Sequence, residues 1–512
     1  MGKGKVYLVG AGPARADLIT VCGMKAIEKA DCIVCDKLAN PALLKYANAG
    51  AEIINVPKRI GKGSYNQDQI NQIIIEKALA GKTVARLKGG DPCIFGRGAE
   101  EAKALVQAGI EFEIVPGITA AIAAAEYSGI MLTDRNYSSQ VIFVTGREAQ
   151  DKKESSIDWD LLAKFRGTIV FYMGMGNIEF IVGRLIDNGM DENTPAAIVS
   201  NATSSAQRVL QTKLNQLVAE SKQGGFAPPA LIIVGQTANS DSSLNWFINK
   251  AMFGRNIVVT RDRLGNADAA EKITERGGNT IEFETIRIKP MTQSNEFLRV
   301  MEKFSSFDWV VFTSVNGVRV FFDFLNAADK DSRVFGPMKI AAIGKRTAWQ
   351  LEQFGLKADF VPEIFTSKDL GTGLVKFTDI SGKKVLLLRS ELANKDLEEI
   401  LVACGANITK AGVYDIKPVR SDAQGLQDKI KAGGVDCITF ASPSAVSSFF
   451  EQIDVELVKS HNVIIASVGP VTSAKLGEVG IDVEIQAAEH TIDGLLDAIE
   501  NTLEGDRISW GK

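Results

Sequence analysis

One pattern recurs along this chain and constrains its fold more than any other: a short apolar run ends in glycine or a polar residue and leads into a helical stretch. In the first part of the chain such runs lie at 6–9, 32–35, 52–56 and 83–87. Alternating strands and helices of these lengths are typical of α/β domains, in which helices cover the faces of a mainly parallel sheet. The pattern therefore predicts the α/β fold class.

The pattern continues in four further runs, at 141–146, 168–176, 196–204 and 230–235. We therefore expect residues 1–245 to form two α/β subdomains, of about 1–138 and 139–245. Residues 246–255 mix turn residues with a short amphipathic piece, which predicts a linker.

The second half contains an internal repeat, which indicates two similar lobes. The string IVVTR, ending at Arg261, corresponds to VLLLR, ending at Arg389. At the same offset IRIKP corresponds to YDIKP, and DWVVFTSVNGVRVFF to DCITFASPSAVSSFF. Each lobe is expected to have a parallel sheet.

The two I-K-P segments are extended and end in proline, which predicts that they are the two crossings between the lobes. The lobes would then be discontinuous in sequence. Within a domain at 256–512, lobe one would comprise 256–287 plus 419–505, and lobe two 288–418.

The charge of the chain is nearly balanced, with 58 Lys and Arg, 62 Asp and Glu, and a net charge of −4. This argues against a nucleic-acid binder that relies on bulk charge, and an anionic substrate has to meet a local cluster of Arg and Lys. No apolar run reaches the roughly 18 residues of a membrane-spanning helix, and the first apolar run is too short for a signal peptide. We therefore expect a cytoplasmic protein without a membrane contact.

Histidine and cysteine usage excludes several kinds of chemistry from the first half. The only histidines are His461 and His490, so imidazole catalysis and a catalytic zinc site are not expected before them. Six cysteines in 512 residues do not make a disulfide framework. Cys32 and Cys35 have C-x-x-C spacing, but on a strand their side chains point to opposite faces, so no metal or redox pair is predicted.

The string RLKGGDPCIFGRG, residues 86–98, has two interpretations: a tight turn with a solvated acid, or a ligand crevice. Its two adjacent glycines allow a sharp turn and a close approach of the backbone to a ligand. Asp91 places a carboxylate at the end of a strand, where α/β sheets usually keep their ligands. The small residues at 119–125 have two interpretations: close helix packing, or a wall against which a flat adenosine lies.

The first 245 residues resemble the uroporphyrinogen-III C-methyltransferases of the tetrapyrrole methylase family. The resemblance lies in the strings VGAGP, RLKGGDPCIFGRG, VPGITAA, SGIMLTDR, VTGR and FYMG, in this order. The family usually has Gly-Asp where Ala14 and Arg15 stand, histidine where Asp134 and Arg147 stand, and glycine where Ala202 stands. The resemblance implies two α/β subdomains with S-adenosylmethionine in the cleft between them.

Carried over position by position, the resemblance also implies functional residues. Asp36 would be the proton acceptor, Lys58 the proton donor and Arg86 a substrate contact. The residues implied to contact the cofactor are Pro13, Gly89, Gly90, Asp91, Ile94, Thr119, Ala120, Met173 and Ala202. Since a methyl sulfonium is already an activated electrophile, the main task is to hold a pyrrole carbon in line with it, and no metal is implied.

Residues 256–512 resemble uroporphyrinogen-III synthase, through the strings VVTRDR, VVFTSVNGV, AAIGKRTA, TFASPSAV, SVGPVT and EHTIDGLLDAI. That family closes hydroxymethylbilane to uroporphyrinogen III, with loss of water and inversion of the last ring. Tyr414 would be a proton donor to the leaving hydroxyl; a packed linker tyrosine is the alternative. The implied substrate contacts are Arg261, Thr313, Ser314, Lys345, Thr347, Arg389, Ser442, Ser444 and Thr472. For each hydroxyl, helix N-capping is the alternative.

Together the resemblances predict a bifunctional enzyme of tetrapyrrole biosynthesis. The second half would make uroporphyrinogen III, and the first half would transfer two methyl groups to its C2 and C7, giving precorrin-2 for the sirohaem or cobalamin route. As partners we expect small tetrapyrroles and a second copy of the chain, in a homodimer formed through the methyltransferase. No nucleic acid is expected.

Three other functions stay open. A nicotinamide-dependent oxidoreductase fused to an α/β ligand-binding module suits the G-x-G of residues 10–12, although Arg15 stands where the fingerprint requires a third glycine. Two similar lobes with two crossings also suit a hinge-type ligand-binding protein. A methylase that acts on a later corrin intermediate is the third.

Overall fold

The computed structural model describes residues 2–56, 65–148, 156–390 and 395–510. The chain divides into two compact units. The first consists of Met1–Asn256, Ile273–Asn279 and Leu503–Lys512, and the second of Ile257–Lys272 and Thr280–Thr502. Within the described part of the chain, no helix has both the length and the apolar character that a bilayer crossing requires.

The first unit begins with a five-stranded parallel sheet in the order β3-β2-β4-β1-β5. Its elements are β1 (Val6–Gly10), α1 (Val21–Glu28), β2 (Cys32–Cys35), β3 (Glu52–Asn55), α2 (Gln67–Leu79), β4 (Val84–Lys88), α3 (Gly98–Gln107), β5 (Phe112–Val115) and α4 (Ala120–Ser128). β2 and β4 are buried along their whole length, as expected for central strands with helices on both faces. The prediction of a parallel α/β sheet is confirmed here.

The prediction for the C-x-x-C pair is also confirmed in its geometry. Cys32 belongs to the apolar cluster on one face of the sheet and Cys35 to the cluster on the other. Burial raises the pKa of the Cys35 thiol to about 11, so it stays protonated at neutral pH.

The second sheet of this unit is mixed, in the order β6-β7-β10-β8-β9. Its elements are β6 (Val141–Thr145), α5 (Trp159–Lys164), β7 (Thr168–Tyr172), α6 (Ile178–Asp187), β8 (Pro195–Ser200), β9 (Arg208–Lys213), α7 (Leu217–Gln223) and β10 (Ala230–Val234). β6 and β7 pair parallel, whereas β10 pairs antiparallel with β7 and β8, and β8 with β9. The sequence pattern missed β9, because this edge strand is only half-buried and alternates polar with apolar residues.

The rest of the chain forms two more five-stranded sheets, in the orders β12-β11-β18-β19-β20 and β13-β17-β16-β14-β15. The elements are β11 (Asn256–Val259), α8 (Arg263–Glu275), β12 (Asn279–Glu282), β13 (Ile286–Pro290), α9 (Asn295–Glu302), β14 (Trp309–Phe312), α10 (Val315–Ala327), β15 (Lys339–Ala342), α11 (Lys345–Glu352), α12 (Ser367–Phe377), β16 (Lys384–Ser390), α13 (Asp396–Ala403), β17 (Asn407–Pro418), α14 (Ala423–Lys431), β18 (Cys437–Phe440), α15 (Pro443–Phe450), α16 (Val455–Ser460), β19 (Ile464–Ser467), α17 (Pro470–Glu478), β20 (Ile485–Gln486) and α18 (Ile492–Trp510).

The two I-K-P segments lie side by side in the structure. β13 pairs antiparallel with the end of β17, so that Ile288 faces Ile416 and Pro290 faces Tyr414. Because β13 follows β12 and β17 precedes β18, the chain passes between the two sheets once in each direction. The two-lobed α/β architecture with two crossings is confirmed.

Candidate active sites

Glycines from the exits of three strands meet at the carboxyl edge of the first sheet. Gly90, which has a left-handed φ of 72°, exchanges two backbone hydrogen bonds with Gly12. A Cβ on Gly10 would lie 2.5 Å from the Gly117 Cα, and a Cβ on Gly117 would collide with the Gly90 carbonyl oxygen. The exits of β1, β4 and β5 therefore approach each other as closely as backbones can, because no side chains separate them. This edge is where open parallel sheets bind their ligands.

Asp91 ties two of these exits together. One of its carboxylate oxygens accepts the Cys93 amide at 2.7 Å and the other accepts the Gly117 amide at 3.0 Å. Both oxygens are thus engaged by the protein backbone, and the charge of the carboxylate is satisfied within the loops. The predicted cofactor contact at Asp91 would therefore be made through its backbone, like that at the adjacent glycines.

Tyr172, at the end of β7, holds the start of α4 in the first subdomain. Its hydroxyl lies 2.7 Å from the Thr119 hydroxyl oxygen and accepts the Ala121 amide at 3.0 Å. Burial raises the pKa of Tyr172, so the hydroxyl keeps its proton and can donate it to Thr119. Its ring packs against Phe95 and Phe143, with centroids 4.9 and 5.9 Å away. Tyr172 was not among the predicted site residues; its place in the FYMG string beside Met173 was the available signal.

The predicted cofactor contacts lie close to this point from both subdomains. Ile94, Ala120 and Ala202 pack against one apolar cluster that also contains Tyr172. Met173 follows Tyr172 with a left-handed φ of 55° and is half exposed. Pro13 follows Gly12 at the exit of β1 and is partly exposed. The structure therefore brings together residues that the sequence separates by more than a hundred positions.

Asp36 lies at the exit of β2, with 17% of its side chain exposed. The guanidinium of Arg86 donates to it at 2.6 Å. Lys58, the predicted proton donor, lies outside the described residues. Arg86 was predicted to contact the substrate, but its side chain is fully buried and lies behind Asp36. The structure thus differs from that prediction, since a guanidinium without exposed surface contacts Asp36 instead of the cleft.

Behind Arg86 lies a buried carboxylate, Glu101 of α3. Arg86 Nε lies 3.2 Å from Glu101 Oε1, and Lys88 Nζ lies 2.7 Å from Glu101 Oε2. Gln67 donates to the same carboxylate at 3.1 Å. Burial disfavours the charge on Glu101, but Arg86 and Lys88 outweigh it and hold its pKa below the ordinary value. Glu101 follows the RLKGGDPCIFGRG string but was given no role from the sequence, although its spacing from the buried Leu105 on α3 places it on the inner face of that helix.

In the second unit Tyr414 of β17 is almost fully buried, and its hydroxyl lies 3.0 Å from the Ser314 hydroxyl oxygen. Burial raises the pKa of Tyr414; the hydrogen bond to Ser314 opposes this in part, and the negative charge of Asp262 adds to it. Tyr414 is therefore protonated at neutral pH. It is packed into the apolar cluster of its lobe, as the alternative interpretation expected, and its hydroxyl keeps a polar partner.

The other predicted contacts of this unit lie at strand exits. Ser314 and Ser442 cap helices α10 and α15 by accepting the amides of Gly317 and Ala445, which confirms the N-capping interpretation for these two. The remaining predicted contacts differ in exposure. Thr347 and Thr472 are buried, Thr313 and Ser444 are partly exposed, and Lys345 is exposed.

The two arginines of the internal repeat differ in their surroundings. Arg389 is buried, and its Nη2 lies 3.5 Å from a carboxylate oxygen of Glu398, whose other oxygen is 3.1 Å from Lys410. Among the described residues, Arg261 Nη1 is buried without a hydrogen-bond partner. Burial lowers the pKa of Arg261; the negative charge of Asp262 opposes this in part, and nearby Arg346 lowers the pKa further. An incoming carboxylate would relieve this cost at Arg261, whereas Arg389 already has its counter-ion.

The family model described as Tetrapyrrole (Corrin/Porphyrin) Methylases matches residues 5–218. The family model described as Uroporphyrinogen-III synthase HemD matches residues 267–497. These two ranges contain Asp36 and Tyr414, respectively.

Single proteins are similar as well. Porphyrin biosynthesis protein HemD of Ruminiclostridium josui is 34% identical over 500 residues, which are 98% of this chain and 98% of that protein. Uroporphyrinogen-III C-methyltransferase of Priestia megaterium is 48% identical over 236 residues, which are 46% of this chain and 99% of that protein. A crystal structure of uroporphyrin-III C-methyl transferase from Thermus thermophilus, complexed with S-adenyl homocysteine, is 33% identical with a TM-score of 0.40 and covers 46% of this chain and 94% of that one.

Proposed function

Because this chain belongs over nearly its whole length to the family of the porphyrin biosynthesis protein HemD, we propose that it is a bifunctional enzyme of tetrapyrrole biosynthesis. One half closes hydroxymethylbilane to uroporphyrinogen III with loss of water. The other transfers two methyl groups from S-adenosylmethionine to C2 and C7 of that product, giving precorrin-2. The observation that carries this proposal is the relative that matches both halves at once, which supports it over the oxidoreductase and the ligand-binding alternatives.

The residues at the first cleft fit a nucleoside that lies against backbone. A Cβ on Gly90 would lie 3.7 Å from the Ala120 nitrogen, so any side chain there would occupy the space in front of α4. Gly89, Gly90 and Asp91 would hold the cofactor through backbone groups, and the wall of small side chains would take its flat ring. S-adenosylmethionine supplies an activated methyl group on its sulfonium sulfur. The chain's task is to orient the tetrapyrrole and to exclude water.

Asp36 and Lys58 would manage the protons of the methylated ring. Carbon methylation of a pyrrole requires that a proton leaves the macrocycle, and a partly exposed carboxylate at a strand exit suits that role. Arg86 orients this carboxylate by donating a hydrogen bond to it. Lys58, as the proton donor, would return a proton to the ring system.

In the second unit, Tyr414 would donate its proton to the hydroxyl that leaves hydroxymethylbilane as water. The phenolate would regain a proton from the ring carbon at which the macrocycle closes, so the protons balance. Arg261 would bind a substrate carboxylate, because its buried nitrogen lacks a partner among the described residues. The exposed Lys345 and the hydroxyls at the strand exits would bind other carboxylates of the substrate.

We assign the methyltransferase to residues 1–245 and the synthase to 256–512, with 246–255 as the linker and the lobe limits given by the repeat. A homodimer formed through the methyltransferase and a cytoplasmic location complete the proposal. The small net charge of −4 supports a chain that does not bind nucleic acid.

The test is to give the purified full chain hydroxymethylbilane with and without S-adenosylmethionine. We expect uroporphyrinogen III without the donor and a doubly methylated product with it. Uroporphyrinogen III supplied directly separates the two activities, because it needs the first half alone. Accumulation of uroporphyrinogen I, the product of spontaneous closure, with no methylated product would contradict both assignments.

Tyr172→Phe is expected to weaken cofactor binding while the fold is kept. The change leaves the Ala121 amide and the Thr119 hydroxyl without their partner but keeps the packing on Phe95. Loss of such a hydrogen bond costs about 1–1.5 kcal/mol, which corresponds to a roughly tenfold higher Kd. Calorimetry with S-adenosylhomocysteine measures it. Tyr7→Phe, at the opposite end of β1, is the matched control, and equal affinities of the two variants would contradict this role.

A further inference from the structure

Four charged side chains form a row of ion pairs at the carboxyl edge of the first sheet. It runs from Asp36 to Arg86, then to Glu101, and ends at Lys88. Three of the four side chains have at most 1% exposure, and only Asp36 reaches the surface. We call these four residues the charge chain.

The two ends of the charge chain lie at different parts of the site. Asp36, the residue proposed to take a proton from the substrate, directly follows β2. Lys88 is the last residue of β4 and directly precedes Gly89 at the bend assigned to the cofactor. Its backbone is fixed there, because the Lys88 carbonyl accepts the Ala11 amide at 2.8 Å. The charge chain therefore joins the two parts of the site through side chains that solvent does not reach.

Stability alone is a weak reason for such an arrangement. Buried ion pairs lose as much in desolvation as they gain in attraction, and well-packed apolar residues of similar size often replace them without loss. Arg86 also uses two edges of its planar guanidinium, with Nη2 donating to Asp36 and Nε donating to Glu101. This geometry suits a role in orienting the Asp36 carboxylate.

We propose that Arg86 and Glu101 are positioning residues that aim Asp36 at the tetrapyrrole, with Lys88 anchoring them to the cofactor bend. Arg86 stabilises the charge of Asp36 directly. Glu101 shares the charge of Arg86, so the attraction between Arg86 and Asp36 is weaker than in an isolated pair. This inference rests on the proposed function, in which Asp36 is the proton acceptor.

Several charged groups act on Asp36 within the described residues. Arg86 reaches it from β4, and Cys35 precedes it on β2 with a protonated thiol. Glu101 on α3 and Lys88 on β4 act through Arg86, and Lys37 follows in the chain with an exposed side chain. Asp36 has further contacts besides these. Each variant changes one of these groups and leaves the others in place. A shift of the pH profile relative to the wild-type chain therefore reports the group that was changed.

The two positioning residues predict opposite shifts in the pH profile of methyl transfer. Arg86→Met removes the cation next to Asp36, so the acidic limb of kcat should move up by roughly 1–2 pH units. Glu101→Gln removes the anion that shares Arg86, so the limb should move down by about 1 unit. At neutral pH we expect kcat of Arg86→Met to fall roughly 10- to 100-fold, with Arg86→Lys recovering part of it.

The measurement uses the full chain with supplied uroporphyrinogen III and S-adenosylmethionine, and records kcat and KM against pH. Ring closure of hydroxymethylbilane by the same preparation reports whether the second unit is folded, and the affinity for S-adenosylhomocysteine reports whether the first unit is. Affinity for S-adenosylhomocysteine should stay within about threefold, since cofactor contacts are unchanged. Glu179→Gln is the matched control: this exposed glutamate on α6 pairs with Lys222 and should leave the profile in place.

Shifts in the same direction, or an unmoved limb in both variants, would overturn the inference. If one variant fails to fold, the direction of shift in the other decides. Asp36→Asn distinguishes the proposed function from the role of the charge chain. Full methyl transfer in that variant would show that Asp36 is not the proton acceptor. Loss of methyl transfer in Asp36→Asn, with no shift in the other two, would leave the function standing and defeat only the role of the charge chain.

Discussion

Asp36→Asn is expected to abolish methyl transfer while ring closure continues in the same chain. The amide has nearly the shape of the carboxylate but cannot take up a proton. Loss of a general base typically costs 10²- to 10⁴-fold in rate, so kcat for uroporphyrinogen III should fall by about that factor.

The structural reason lies in how Asp36 is held. Its backbone amide donates to the Leu87 carbonyl at 3.0 Å, so the residue is fixed at the strand exit independently of its side chain. The side chain is then oriented by Arg86 from one direction. An asparagine can still accept from Arg86 through its oxygen, which keeps the guanidinium partnered and limits the loss of stability.

The measurement follows both products by separation of the reaction mixture after supply of hydroxymethylbilane and S-adenosylmethionine. Uroporphyrinogen III should accumulate in the variant, where the wild-type chain converts it to a methylated product. Asp187→Asn, an exposed position at the end of α6, is the matched control. An equal loss of both activities would point to misfolding, and undiminished methylation would exclude Asp36 as the proton acceptor.

The strands of the first unit could be predicted from the sequence because most are buried and uninterrupted. The runs at 6–9, 32–35 and 83–87 coincide with β1, β2 and β4 to within a residue or two. β9 could not be found in this way, because an edge strand that is half solvated has no continuous apolar run. The antiparallel pairing in the second sheet could not be predicted from the apolar runs either, because the direction of a strand depends on its connections and not on its composition.

The site was predictable in its motifs but not in its internal contacts. The adjacent glycines indicated a close approach, and the structure supplies the partners, which are the backbones of Gly12 and Gly117. The small residues of 119–125 had two interpretations: most of these alanines are buried in helix packing, and Ala120 is partly exposed at the start of α4. Arg86 was misplaced because a single sequence does not show which arginines of a strand are buried with counter-ions.

Tyr414→Phe is expected to lower ring closure by roughly 10²-fold or more while methyl transfer to supplied uroporphyrinogen III is unchanged. The variant keeps the buried ring and loses only the hydroxyl that would give its proton to the departing water. Ser314 loses a partner but still caps α10 through the Gly317 amide, so the fold should lose only about 1 kcal/mol. This separates chemistry from packing, the two interpretations of this tyrosine.

The ratio of uroporphyrinogen III to uroporphyrinogen I formed from hydroxymethylbilane measures this effect, because spontaneous closure gives the second isomer. Tyr7→Phe again serves as the matched control in the other unit. Ser314→Ala should cause a smaller loss, since it leaves the phenol proton in place but frees the hydroxyl to rotate. A Tyr414→Phe variant that closes the ring at the wild-type rate would assign the tyrosine to the apolar cluster alone. The leaving hydroxyl would then have to be protonated by a group on one of the other strand exits.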